Sequence, residues 1–175
     1  MATPQGAGTP PPVGRIVVGV DGSPGSLAAL RWAVQEASSR GVALHAVTAW
    51  ESPVESTFGD MRTVGDFHPV SAAEKILVTA LADAGVSVQD QTVTTAAVEG
   101  HPAEVLLEAA ENSELLVVGS RGHGKILGAL LGSVSQYVAA HAACPVVVIN
   151  PLAHEPGHRQ QTDLLGGSNG AHEPN

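Results

Sequence analysis

The chain has 175 residues, eight Lys and Arg against 17 Asp and Glu, and a formal net charge of −9. That length suits one domain with its own core, and the acidic balance without a basic stripe argues against a nucleic-acid partner, which needs clustered cations. No apolar run reaches the length of about 18 residues that a membrane span needs, the N-terminus shows no secretory leader pattern, and the single cysteine, Cys144, excludes an internal disulfide. The expected location is cytoplasmic. A small anion is still admissible, because backbone N–H groups can supply a local positive field in an acidic protein.

Residues 1–13 and 151–175 are rich in Pro, Gly and polar residues, and read as flexible tails on either side of a domain over 14–150. Arg15–Val20 is a β-branched run of the kind found in a buried parallel strand. Asp21-Gly-Ser-Pro then turns the chain into a helix, with Ser23 as cap and Pro24 at its first position, closed by Arg40-Gly41. Val42–Trp50 reads as a second strand and 51–69 as a long aperiodic loop. Ser71 and Glu74 have the spacing of a capping box for a second helix that stops near Gly85.

Val86–Ala97 is expected to be a strand near the sheet edge, because its alternation leaves one face half exposed. Pro102 opens a third helix and Leu115–Val118 is a fourth strand. A fourth helix follows, capped by Ser133, and then a final strand over Pro145–Ile149. Strands alternating with helices of these lengths specify the α/β class: a single open parallel five-stranded sheet with helices on both faces, Rossmann-like.

Chemistry concentrates in residues 115–135, LLVVGSRGHGKILGALLGSVS, where five glycines from Gly119 to Gly132 separate a buried strand from a helix. Ligands of open α/β sheets bind outside the carboxyl ends of the strands. Gly119 and Gly122 can take positive φ and expose successive N–H groups, and Ser133 and Ser135 add hydroxyls at a helix N-terminus, so the segment reads as a phosphate cradle. The competing reading is that the glycines only turn the chain and Ser133 only caps the helix. A Walker A loop fails, since Gly124-Lys125 is followed by Ile126 and not by a hydroxyl. A dinucleotide fingerprint fails as well, being one residue too long at Gly128.

A third pattern is complete: Gly119-x-x-Gly122, nine residues, then Gly132-Ser133. This G-2x-G-9x-G-S spacing resembles the ATP-binding branch of the universal stress protein family. The resemblance runs over about residues 14–150 and includes Ile16-Val-Val-Gly-Val-Asp21-Gly-Ser, Glu99-Gly-His-Pro-Ala and His141-Ala-Ala-Cys-Pro-Val-Val-Val-Ile. It implies a fold like that of the adenine nucleotide alpha-hydrolases. It also implies an ATP site, with Mg²⁺, whose triphosphate and ribose lie against Gly119, Ser120, Arg121, Gly122, Gly132, Ser133, Val134 and Ser135. Gly19, Val20 and Asp21 would form the β1 end, and Val47 would pack on the base. A homodimer through the last strand is also implied. Independently of the resemblance, Asp21 is placed to accept a ribose hydroxyl or help hold a metal ion, or else is a solvated turn residue.

The eight histidines form no metal-ligand spacing, Trp32 and Trp50 read as packing residues, and no nucleophile elbow or paired base is present. The expected function is therefore an ATP-binding regulatory module of the stress response, with an unidentified protein partner. The alternatives are a slow ATPase or phosphotransferase, and an interaction protein with a vestigial site.

Overall fold

The computed structural model describes residues 14–51, 69–86, 92–122 and 131–151. In chain order they form β1 (Arg15–Gly19), α1 (Pro24–Arg40), β2 (Ala43–Trp50), α2 (Pro69–Asp83), β3 (Val93–Glu99), α3 (Pro102–Ala109), β4 (Leu115–Gly119), α4 (Ser133–His141) and β5 (Val146–Ile149). All strand pairs are parallel, in the order β3-β2-β1-β4-β5. The α/β class and the five-stranded open parallel sheet read from the sequence are those observed.

Alternation along the central strands builds two cores. Ile16, Val18, Leu44, Ala46, Leu115 and Val117 point to one face, where Leu30 and Ala33 of α1 and Leu77 and Leu81 of α2 cover them. Val17, Val47, Leu116 and Val118 point to the other, against Ala103 and Leu106 of α3 and Val138 of α4. Both faces being covered explains why these strands read as continuous apolar runs. β3 lies at the sheet edge, where Thr94, Thr95 and Glu99 are exposed.

Local signals place most element ends. The Ser23 hydroxyl accepts the Ser26 N–H at 3.2 Å at the start of α1, and Gly41 closes that helix in the left-handed region with φ 67°. Three boundaries differ from the sequence reading. The α2 helix already starts at Pro69, so Ser71 lies inside it and makes no capping box; proline's fixed φ suits a first helical position. The β3 strand begins at Val93, not Val86. Val86 instead ends the α2 turn, its N–H on the Leu81 carbonyl at 2.9 Å, beyond a left-handed Gly85, while Val88 lies outside the described residues. Lastly, Gly132, not Ser133, is the N-cap of α4.

On β2, the ring of His45 places Nδ1 2.8 Å from Thr94 Oγ1, which itself donates to the Leu44 carbonyl at 3.3 Å. Burial first, and then the nearby Arg15 guanidinium, push the His45 pKa below its ordinary 6.5, against an opposing hydrogen bond at Thr94. The unfolded chain therefore takes up the proton before the folded one, and stability is lost as pH falls below about 6.5. The urea midpoint is expected to fall between about pH 7.5 and about pH 5.5, and to fall less in His45→Gln. An equal fall in both proteins would remove His45 as the cause.

Candidate functional site

From β1 the chain passes to β2 on one side, while β4 pairs with β1 on the other, so the strand order reverses between β1 and β4. At such a switch point the connections leave in opposite directions and open a crevice at the carboxyl ends. Gly19 and Gly119, the last residues of these two strands, lie at its floor.

Close backbone approach shapes the walls. A Cβ on Gly119 would stand 2.5 Å from the Gly25 carbonyl carbon and 2.8 Å from the Ser26 nitrogen, so β4 and the first turn of α1 meet backbone to backbone. A Cβ on Gly122 would meet Asp21 Oδ2 at 2.5 Å. Neither glycine has positive φ. The expectation of left-handed conformations at 119 and 122 is thus corrected: the requirement is space between packed chains, not handedness.

At the start of α4, Gly132 brings no side chain to the cap, and its N–H is bound by the Ser120 carbonyl at 2.7 Å. Ser133 is the first helical residue and its side chain is exposed, so its hydroxyl does not cap the helix. The Ser135 side chain is buried and donates to the Gly119 carbonyl at 2.6 Å, tying α4 to β4. There is no acidic residue in the first turn. The N-terminal end of α4, with its partial positive charge, therefore meets the cleft without a side-chain acceptor of its own N-cap.

Of the twelve residues singled out in the sequence, Gly19, Val20, Asp21, Val47, Gly119, Arg121, Gly122, Gly132, Ser133, Val134 and Ser135 all line this cleft. Ser120 does not. Ser120, in the bend that follows β4, is 4% exposed, and among the described residues its Oγ has no hydrogen-bond partner. The sequence reading missed Ser26, Ala49, Pro102, Leu106, Val118 and Leu131. One signal for two of them existed: a helix that follows a parallel strand starts at the carboxyl edge, so Pro102 and, one turn on, Leu106 face the same crevice. Ser26 accepts the Asp21 N–H at 3.2 Å, a contact that its place inside α1 does not reveal.

The lining divides by chemistry. Val47, Ala49, Pro102, Leu106 and Val118 form an apolar end, while Asp21, Arg121, Gly122 and the start of α4 form a polar end. With a volume of about 230 Å³, the cleft lies somewhat below the range of small-molecule sites, on the order of 300–1,000 Å³. Such a site suits a flat apolar ring joined to an anion. Comparison with known proteins agrees with this architecture, since the model of the universal stress protein family matches residues 12–150.

The chain belongs to the universal stress protein family. A universal stress protein of Mycolicibacterium smegmatis is 37% identical over 144 residues, covering 78% of this chain and 45% of that protein. Another, from Mycobacterium tuberculosis, is 36% identical over 166 residues, covering 89% of this chain and 54% of that one. This universal stress protein chain thus spans about half the length of the curated relatives it matches. Among solved structures, a universal stress protein in complex with cAMP superposes with a TM-score of 0.56 at 30% identity, covering 80% of this chain and 98% of that one. Among the described residues of this universal stress protein, no helix is long and apolar enough to cross a membrane.

Proposed function

We propose that this universal stress protein binds an adenine nucleotide, ATP with Mg²⁺, in the cleft between β1 and β4, and serves as a nucleotide-dependent regulatory module of the stress response. The observation that carries the reading is the pairing of an apolar end with the side-chain-free start of α4 inside one crevice. The base packs on Val47 between Ala49 and Leu106, and the phosphates meet the N–H groups of Gly122 and of the first turn of α4. Arg121, exposed at the rim, pairs with phosphate oxygens. The similar structure at 30% identity that holds cAMP supports the same ligand class.

Mg²⁺ fits the donor set. Among the described residues no three His, Cys, Asp or Glu side chains gather as a metal site, and Mg²⁺ is commonly held by one or two carboxylates together with substrate phosphates. Asp21 supplies the carboxylate, and the remaining ligands come from the nucleotide and water. The working unit in this reading is cytoplasmic, with a domain over 14–150 between tails at 1–13 and 151–175. It is a homodimer through β5, the apolar strand Val146–Ile149 at the sheet edge, since an uncovered edge calls for a partner strand.

Calorimetry of nucleotide-free protein with ATP, AMP and cAMP, with and without Mg²⁺, tests the reading. ATP is expected to bind in the micromolar range, and Gly122→Val, whose Cβ would displace the Asp21 carboxylate, to weaken it by about tenfold or more while the protein stays folded. No heat with any of the three nucleotides would refute the assignment.

A further inference from the structure

Ser23 does more than cap α1. Its hydroxyl accepts the Ser26 N–H at 3.2 Å and also donates to the Arg121 carbonyl at 3.4 Å, across 98 residues of sequence. The side chain is 2% exposed, and its surroundings fix it. Asp21 Oδ1 accepts the Ser23 N–H at 2.9 Å, Ser26 Oγ donates to the Ser23 carbonyl at 3.0 Å, and the same Oγ accepts the Asp21 N–H at 3.2 Å. The Arg121 carbonyl also lies against Gly25, where no Cβ would fit. It therefore sits at the positive end of α1.

The described peptide bonds are trans, and in a trans peptide the carbonyl and the following N–H point to opposite sides. With the Arg121 carbonyl held on α1, the Gly122 N–H turns away from α1, and Gly122 lines the cleft with Gly132 and Ser133. We propose that Ser23 is a positioning residue for the phosphates of the bound nucleotide, aligning the Gly122 N–H beside the first-turn N–H groups of α4. The inference rests on the reading that the cleft takes an adenine nucleotide. At 3.4 Å the bond is long for two oxygens, so little fold stability rests on it.

Ser23→Gly removes the hydroxyl but leaves a residue well accepted at an N-cap, and Ser23→Ala removes it with a larger loss of helix stability. Calorimetry with adenosine and with ATP on wild type and both variants, each shown folded by circular dichroism, separates the phosphate end from the base end. The expected result is ATP binding weakened by about tenfold or more in both variants with adenosine affinity within about twofold of wild type. Unchanged ATP affinity in folded Ser23→Gly overturns the proposal. So does an equal loss for adenosine and ATP, which would mean that the hydroxyl shapes the whole cleft. If wild type binds neither ligand, the nucleotide reading itself fails and the inference falls with it.

Discussion

Gly119→Ala is expected to destabilise the protein by about 3 kcal/mol, lowering its melting temperature by roughly 6–12 °C for a chain of this size. The added Cβ would meet Gly25 C at 2.5 Å, Gly25 O at 2.7 Å and Ser26 N at 2.8 Å. These are backbone atoms of a capped helix, with no rotamer to relieve the contact, so β4 and α1 must separate. Replacing glycine also restricts the unfolded chain, which stabilises by about 0.4–1 kcal/mol, too little to offset the clash. Gly41→Ala provides the comparison. Nothing lies within 4 Å of a Cβ there and only the φ of 67° opposes it, so its cost is expected to be about 1–2 kcal/mol. Thermal melts of the two variants test the ranking, and a Gly119→Ala protein as stable as wild type would show that the seam between β4 and α1 yields.

Ser133→Glu is expected to move binding and stability in opposite directions. The side chain is exposed at the first position of α4, a helix with no acidic residue in its first turn. A carboxylate there complements the helix dipole and adds about 0.3–1 kcal/mol of stability. The same charge beside the site proposed for the phosphates would repel them. Two like charges about 4 Å apart near a surface interact by up to about 4 kcal/mol before screening, enough for a loss of ATP affinity of about 100-fold. The loss is expected to shrink as salt is added, and Ser133→Ala is expected to leave stability little changed, because that hydroxyl caps nothing. An unchanged ATP affinity in Ser133→Glu would move the phosphates away from α4.

Much of the architecture was legible because it is written in short-range chemistry. β-branched runs marked the central strands, and Ser23 and Pro24 marked the start of α1; β3 lies at the sheet edge as expected, although its exposure does not alternate, Thr94 and Thr95 both being exposed. Where two local signals competed, the sequence reading slipped. Ser71 with Glu74 has the form of a cap, yet Pro69 had already begun the helix. Ser133 is a good capping residue, yet Gly132 takes that position because its N–H is drawn to the Ser120 carbonyl.

The candidate site divides in the same way. The family resemblance, carried by the glycine spacing and by matching positions on β1 and β2, together with the rule that crevices open at carboxyl ends, located eleven of the cleft's lining residues. It did not supply the reasons. Gly119 is glycine because α1 presses on it, the Ser120 side chain is buried outside the cleft in the bend after β4, and Pro102 and Leu106 join the site from the start of α3. The sequence by itself determined the elements, their class and the loop that carries the chemistry, because helix and strand periods and turn residues act over a few neighbours. Only the tertiary structure decided which backbones touch, and that Ser23 reaches Arg121 98 residues away. Contacts between distant segments depend on how whole elements pack, and no local pattern encodes that distance.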